Sequence, residues 1–172
     1  MLIYTGNGKG KTTASLGVTL RAIGRGMNVK YLQFIKSPER TYGEALALGK
    51  LGVKMEQLGI GFTWTKTPEE HRNALALAWE KVKLALADPD IDLLVLDELN
   101  NALAISKFPI HDVLPLAEII DAIRNRPAHM HIVITGRDAK PELMEMADLV
   151  SSIEATKHYY DEGIGAVKGL EF

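Results

Sequence analysis

The chain contains no cysteine, which excludes disulfides, thiolate metal sites and cysteine nucleophiles together. It has no long hydrophobic run either, and its apolar stretches are far too short to span a bilayer. Neither sign of charge dominates: 20 Lys and Arg stand against 22 Asp and Glu, mixed along the chain. Without a basic block or an Arg/Lys stripe, nucleic acid is not an expected partner. No signal peptide precedes the first strand-like segment, so a cytoplasmic protein without membrane contact is expected. Repeats, low-complexity stretches and linkers are lacking too. The 172 residues therefore read as one domain, 1–172, long enough to bury a full core.

What is present alternates between two kinds of segment. Leu2–Thr5, Val29–Ile35, Val53–Leu58, Ile91–Leu96, Ile132–Thr135 and Val150–Ala155 read as strands. Ile91–Leu96 is a continuous apolar run of the kind buried on both faces. Lys11–Gly24, Glu44–Leu48, Pro115–Ile123 and Pro141–Ala147 read as helices. Thr67-Pro68-Glu69-Glu70 opens a further helix with a threonine cap, a proline in the first turn and a glutamate three residues after the cap. That helix carries Leu75, Trp79, Val82 and Leu86 at helical spacing and stops at Asp88-Pro89. Strands alternating with helices give an α/β fold, a mostly parallel sheet covered on both faces. Ligands of such sheets sit at the carboxyl ends of the strands, so chemistry is expected in the loops there.

The first of these loops is the most informative. Thr5-Gly6-Asn7-Gly8-Lys9-Gly10-Lys11-Thr12-Thr13 lies between a strand and a helix. Its backbone N–H groups can wrap phosphates, Lys11 adds a point charge, and the Thr12 hydroxyl is placed to hold Mg²⁺. The outer glycine of the usual Walker pattern is replaced by Thr5. Leu93-Leu94-Val95-Leu96-Asp97-Glu98 is the second, a buried strand ending in acids. Either Asp97 or Glu98 could reach Mg²⁺, directly or through water. The third, Gly59-Ile60-Gly61-Phe62-Thr63-Trp64-Thr65, holds two of only six Phe and Trp residues. Phe62 and Trp64 point the same way if the stretch is extended. They either anchor the loop to the core or form a wall against a flat ligand. Arg137, in Ile134-Thr135-Gly136-Arg137-Asp138, suits a phosphate or an ion pair equally. His129 and His131 lack a third ligand and read as surface residues.

Taken in this order, the segments resemble the P-loop corrinoid adenosyltransferases. The likeness runs through the loop at 5–13, Gln33-Phe34-Ile35-Lys36, Gly61-Phe62-Thr63-Trp64 and Val95-Leu96-Asp97-Glu98-Leu99. It continues through Asn125-Arg126-Pro127, Ile134-Thr135-Gly136-Arg137 and Lys157-His158. The phosphate loop alone is shared with many NTPases, and its joint occurrence with Gly-Phe-Thr-Trp makes the match specific. The resemblance implies a P-loop, RecA-like architecture and transfer of the 5′-deoxyadenosyl group of ATP to the Co(I) of a reduced corrinoid, with release of triphosphate. ATP would bind in reverse, with the ribose C5′ facing the corrinoid, and the threonine at position 5 is the family's own form of the loop. Gly6, Asn7, Gly8, Lys9, Gly10, Lys11, Thr12 and Thr13 would hold the phosphates, with Lys11, Thr12 and Glu98 catalytic. Thr12 and Glu98 would hold Mg²⁺, with Asp97 behind or beside them. Phe62 and Trp64 would lie against the corrin face from which the lower axial ligand leaves. The resemblance further implies a homodimer, an electron-donating reductase such as a flavoprotein, and a role in cobalamin synthesis or salvage. Several relatives carry a longer segment ahead of the first strand that helps cover the site, whereas here that strand begins at Leu2. The rival readings are a P-loop ATPase or kinase cutting at the γ-phosphate, and a non-catalytic ATP-gated corrinoid-binding module.

Overall fold

Strand β4 (Leu93–Asp97) sits inside a sheet with neighbours on both sides, and every one of its residues is buried. In this computed structural model, which describes residues 1–39, 41–61 and 66–171, β4 pairs with β2 (Val29–Gln33) and β5 (His131–Thr135). β1 (Leu2–Thr5) follows β5, and the edges are β3 (Met55–Gln57) and β6 (Leu149–Ser152). The order is β3-β2-β4-β5-β1-β6, and every pairing among the described residues is parallel.

Alternation along the central strands explains the layers. Leu94 and Leu96 of β4, with Ile132 and Ile134 of β5, pack against α3 (Pro68–Ala87), α4 (Leu99–Leu103) and α5 (Leu116–Arg124). Leu93, Val95 and Val133 point the other way, toward α1 (Lys11–Gly24) and α2 (Gly43–Lys50). Each fully buried Leu, Ile or Val of this kind is worth about 1.5–3 kcal/mol relative to exposure. The expected sheet with helices on both faces is therefore the observed one.

Local signals set several boundaries. Thr67 accepts from the Glu70 N–H while Glu70 Oε2 accepts from the Thr67 N–H at 2.7 Å, which is the anticipated capping box of α3. β2 ends at Gln33 rather than Ile35, and the 53–58 strand pairs only over Met55–Gln57. A short helix α6 (Pro141–Glu145) precedes β6. Two elements were not anticipated: α4, and a 3-10 turn at Tyr159–Glu162. Among the described residues no helix is long and apolar enough to cross a membrane.

Candidate active site

The loop after β1 turns on Gly6 and Gly10, whose φ angles of 91° and 114° are left-handed. Gly10 caps α1, and the first turn of that helix carries no acidic residue to oppose an anion at its N-terminus. Lys11 Nζ donates to the carbonyls of Gly6 at 2.8 Å and Gly8 at 2.6 Å, so its ammonium is held within the loop. Burial lowers the Lys11 pKa, and the nearby Arg137 charge lowers it further, against the attraction of Glu98 and Glu154.

Thr5, the departure from the Walker pattern, has a structural account. It ends β1, its side chain is buried, and its hydroxyl accepts from the Ala139 N–H at 3.4 Å. Gly8 also has a packing reason. A Cβ there would lie 2.6 Å from the Glu154 carbonyl carbon, and the Gly8 N–H donates to Ile153 O at 2.6 Å. The stretch following β6 therefore lies directly against the phosphate loop.

Asp97 ends β4 fully buried. Its Oδ1 accepts from Thr135 Oγ1 at 2.6 Å, and its Oδ2 from Gln33 Nε2 at 2.7 Å and, more distantly, Thr12 Oγ1 at 3.4 Å. Burial raises its pKa, against these hydrogen bonds. Glu98 takes a left-handed conformation at φ 61°, a costly one for a non-glycine residue and a frequent mark of functional sites. Its N–H is fixed by Thr135 Oγ1 at 2.9 Å. Burial, and next the Asp97 carboxylate, push the Glu98 pKa up to about 7.

A cavity of about 1190 Å³ brings these parts together. The loop from Asn7 to Thr13 lines it with Glu98, Thr135 and Arg137, whereas Gly6 and the buried Asp97 do not. Arg137 is positioned by its own N–H, which donates to Asn101 Oδ1 at 2.6 Å. Lys36 and Glu44 also line it, as a 2.9 Å ion pair, with Lys36 Nζ 4.4 Å from the Tyr42 ring centre. Phe62 and Trp64 lie outside the described residues. His129 and His131 are both exposed, as expected of surface residues.

The donor set fits Mg²⁺ bound to a phosphate ligand. Thr12 and Glu98 supply oxygens at the cavity wall, Asp97 orients Thr12 from behind, and the Glu98 carboxylate has no hydrogen-bond or ion-pair partner among the described residues. The buried Gln33 Oε1 beside Asp97 also lacks a donor, which a water of a hydrated cation would supply. Gln33, Lys36 and Thr135 are thus parts of the site whose roles the motifs did not bring out. Their signal was a polar residue set within or at the end of an apolar strand.

A sequence model of the family described as ATP:corrinoid adenosyltransferase BtuR/CobO/CobP matches residues 1–172. The chain belongs to this family. It is 40% identical to the corrinoid adenosyltransferase CobA of Salmonella typhimurium, over all of this chain and 85% of that one. It is 41% identical to a corrinoid adenosyltransferase of Pseudomonas aeruginosa, over all of this chain and 83% of the relative. An Escherichia coli corrinoid adenosyltransferase is 38% identical, over all of this chain and 85% of its own length. For a member of the adenosyltransferase family, the cavity at the strand ends is the place to seek both substrates.

Proposed function

We propose that the chain, as one domain, transfers the 5′-deoxyadenosyl group of ATP to the Co(I) of a reduced corrinoid and releases triphosphate. The observation that carries this reading is a coincidence: the family match spans residues 1–172, and one cavity holds the phosphate loop, Thr12 and Glu98.

The chemistry asks little covalent work of the protein. The Co(I) electron pair forms the cobalt–carbon bond to C5′ while the C5′–oxygen bond breaks, and the triphosphate leaves with that bond's electrons. The metal of the substrate is the nucleophile, so no serine, cysteine or general base is required. The chain's task is orientation and stabilisation of charge on the leaving group. Lys11 and the loop N–H groups face that charge, and Arg137 adds a guanidinium suited to phosphate oxygens. Mg²⁺, when bound with ATP, supplies further charge neutralisation, and Thr12 and Glu98 are the residues that would hold it. Phe62 and Trp64 are assigned to the corrin face by the Gly-Phe-Thr-Trp motif. The reading extends to a homodimer in the cytoplasm that receives electrons from a reductase such as a flavoprotein.

Anaerobic mixing of protein, MgATP and chemically reduced corrinoid tests it. Formation of the cobalt–carbon absorption spectrum with one inorganic triphosphate per turnover is expected. ADP and phosphate as products would instead select the ATPase or kinase reading, and binding of both ligands without a cobalt–carbon bond the non-catalytic one.

A further inference from the structure

The segment after β6 does not run away from the site. It passes against Gly8 and returns through the Tyr159–Glu162 turn, so that Glu171 Oε2 meets Lys9 Nζ at 2.6 Å. The Tyr159 hydroxyl donates to the other oxygen of Glu171, and Lys9 Nζ also lies 5.7 Å from the Tyr159 ring centre. Lys9 is a phosphate-loop cation, and in this state its counter-charge is a carboxylate borrowed from the far end of the chain. His158 lines the same cavity, and its Nδ1 accepts from the Tyr160 N–H at 3.1 Å. That bond leaves the proton of a neutral imidazole on Nε2, as a donor.

Sheet order says which end of a nucleotide this segment meets. The phosphate loop follows β1, which pairs directly with β6, whereas residues 59–61 follow β3 at the opposite edge. If C5′ faces a corrinoid on the β3 side, the outer phosphate of the triphosphate points toward the chain's last residues.

We propose that the C-terminal segment recognises the outer phosphate of the triphosphate: Glu171 occupies Lys9 until that phosphate replaces it, and His158 donates to the same phosphate. The inference rests on the adenosyltransferase reading for the direction of the nucleotide. The Lys9–Glu171 pair is partly exposed, at 40% and 20% for the two side chains, and such pairs yield readily to a multiply charged anion held by several donors. Displacement would free Glu171 as the triphosphate enters, while His158 stays against the phosphate, and would allow Glu171 to return when the product departs.

Calorimetry without corrinoid, with Mg²⁺ present, tests this separately from group transfer, so a failed adenosylation assay leaves the result standing. Glu171→Gln removes the competing charge and should bind inorganic triphosphate several-fold more tightly than the parent protein. His158→Ala should weaken ATP and inorganic triphosphate by about ten-fold while moving ADP less than about two-fold. His158→Gln, which keeps an N–H donor, should recover part of that loss. Weaker triphosphate binding by Glu171→Gln would show a merely structural pair and overturn the proposal. Equal losses for ATP and ADP in His158→Ala, with no recovery in His158→Gln, would do the same.

Discussion

Thr135 binds Asp97 with its hydroxyl proton, at 2.6 Å, and with the same oxygen accepts the Glu98 N–H at 2.9 Å. One buried hydroxyl on β5 thereby fixes both acids at the end of β4. Thr135→Val keeps the shape but orphans a carboxylate oxygen and a backbone N–H, and should cost about 2 kcal/mol of unfolding free energy. The Mg²⁺ concentration for half-maximal activity should rise as Glu98 loses its anchor. Urea unfolding and a Mg²⁺ titration measure the two effects, and an unchanged metal requirement would separate Thr135 from the site.

Lys11 is held by two loop carbonyls, so its ammonium stays within the loop proposed to take the phosphates. Lys11→Ala should lower kcat on the order of 10²- to 10³-fold, the range expected for loss of one positioned donor to a charged leaving group. Single-turnover formation of the cobalt–carbon bond is the measurement. A rise in KM alone would assign Lys11 to ground-state binding.

Glu98 predicts a pH dependence whose direction is opposite to that of a paired carboxylate. Its folded pKa of about 7 lies above the ordinary 4.5, so the native state holds the proton more tightly than the unfolded chain. Stability from this group is therefore fully present below about pH 4.5, falls as pH rises toward 7, and is level above that. The full change is at most roughly 3 kcal/mol. Glu98→Gln should flatten that part of the melting profile of the ligand-free protein. The proposed Mg²⁺ site needs the ionised carboxylate, so Mg²⁺ affinity should climb over the same interval in the parent protein and not in the variant.

Signals carried by neighbouring residues are legible in the chain itself. The capping box at Thr67 and Glu70, the strand–loop–helix at residues 2–24 and the apolar run into Asp97 each have a local physical cause. What escaped depends on pairing between distant strands. Gln33 looks like an interruption of an apolar strand until the register of β2 and β4 sets it opposite Asp97. Helix α4 is only 5 residues long and begins from the left-handed Glu98, a conformation maintained by Thr135 from another strand. The Lys9–Glu171 contact joins the two ends of the chain, which no periodicity can reveal.

Gly8 and Gly10 separate two reasons for glycine in one loop. Gly8 has no room, because an added Cβ would lie 2.6 Å from Glu154 C, 2.7 Å from Ile153 O and 2.9 Å from Ala155 N, all backbone atoms that cannot turn aside. Gly10 has open space around its Cβ position but a φ of +114°. Gly10→Ala should then cost only the backbone strain, about 1–3 kcal/mol. Gly8→Ala must either push the loop away from residues 153–155 or move that segment, losing the 2.6 Å bond to Ile153 as well. It should lose clearly more stability than Gly10→Ala in urea unfolding of the ligand-free protein, and faster amide exchange over 153–171 should accompany the loss. Equal losses in the two variants, with exchange unchanged in that segment, would show that the phosphate loop and the chain's last stretch are not packed together.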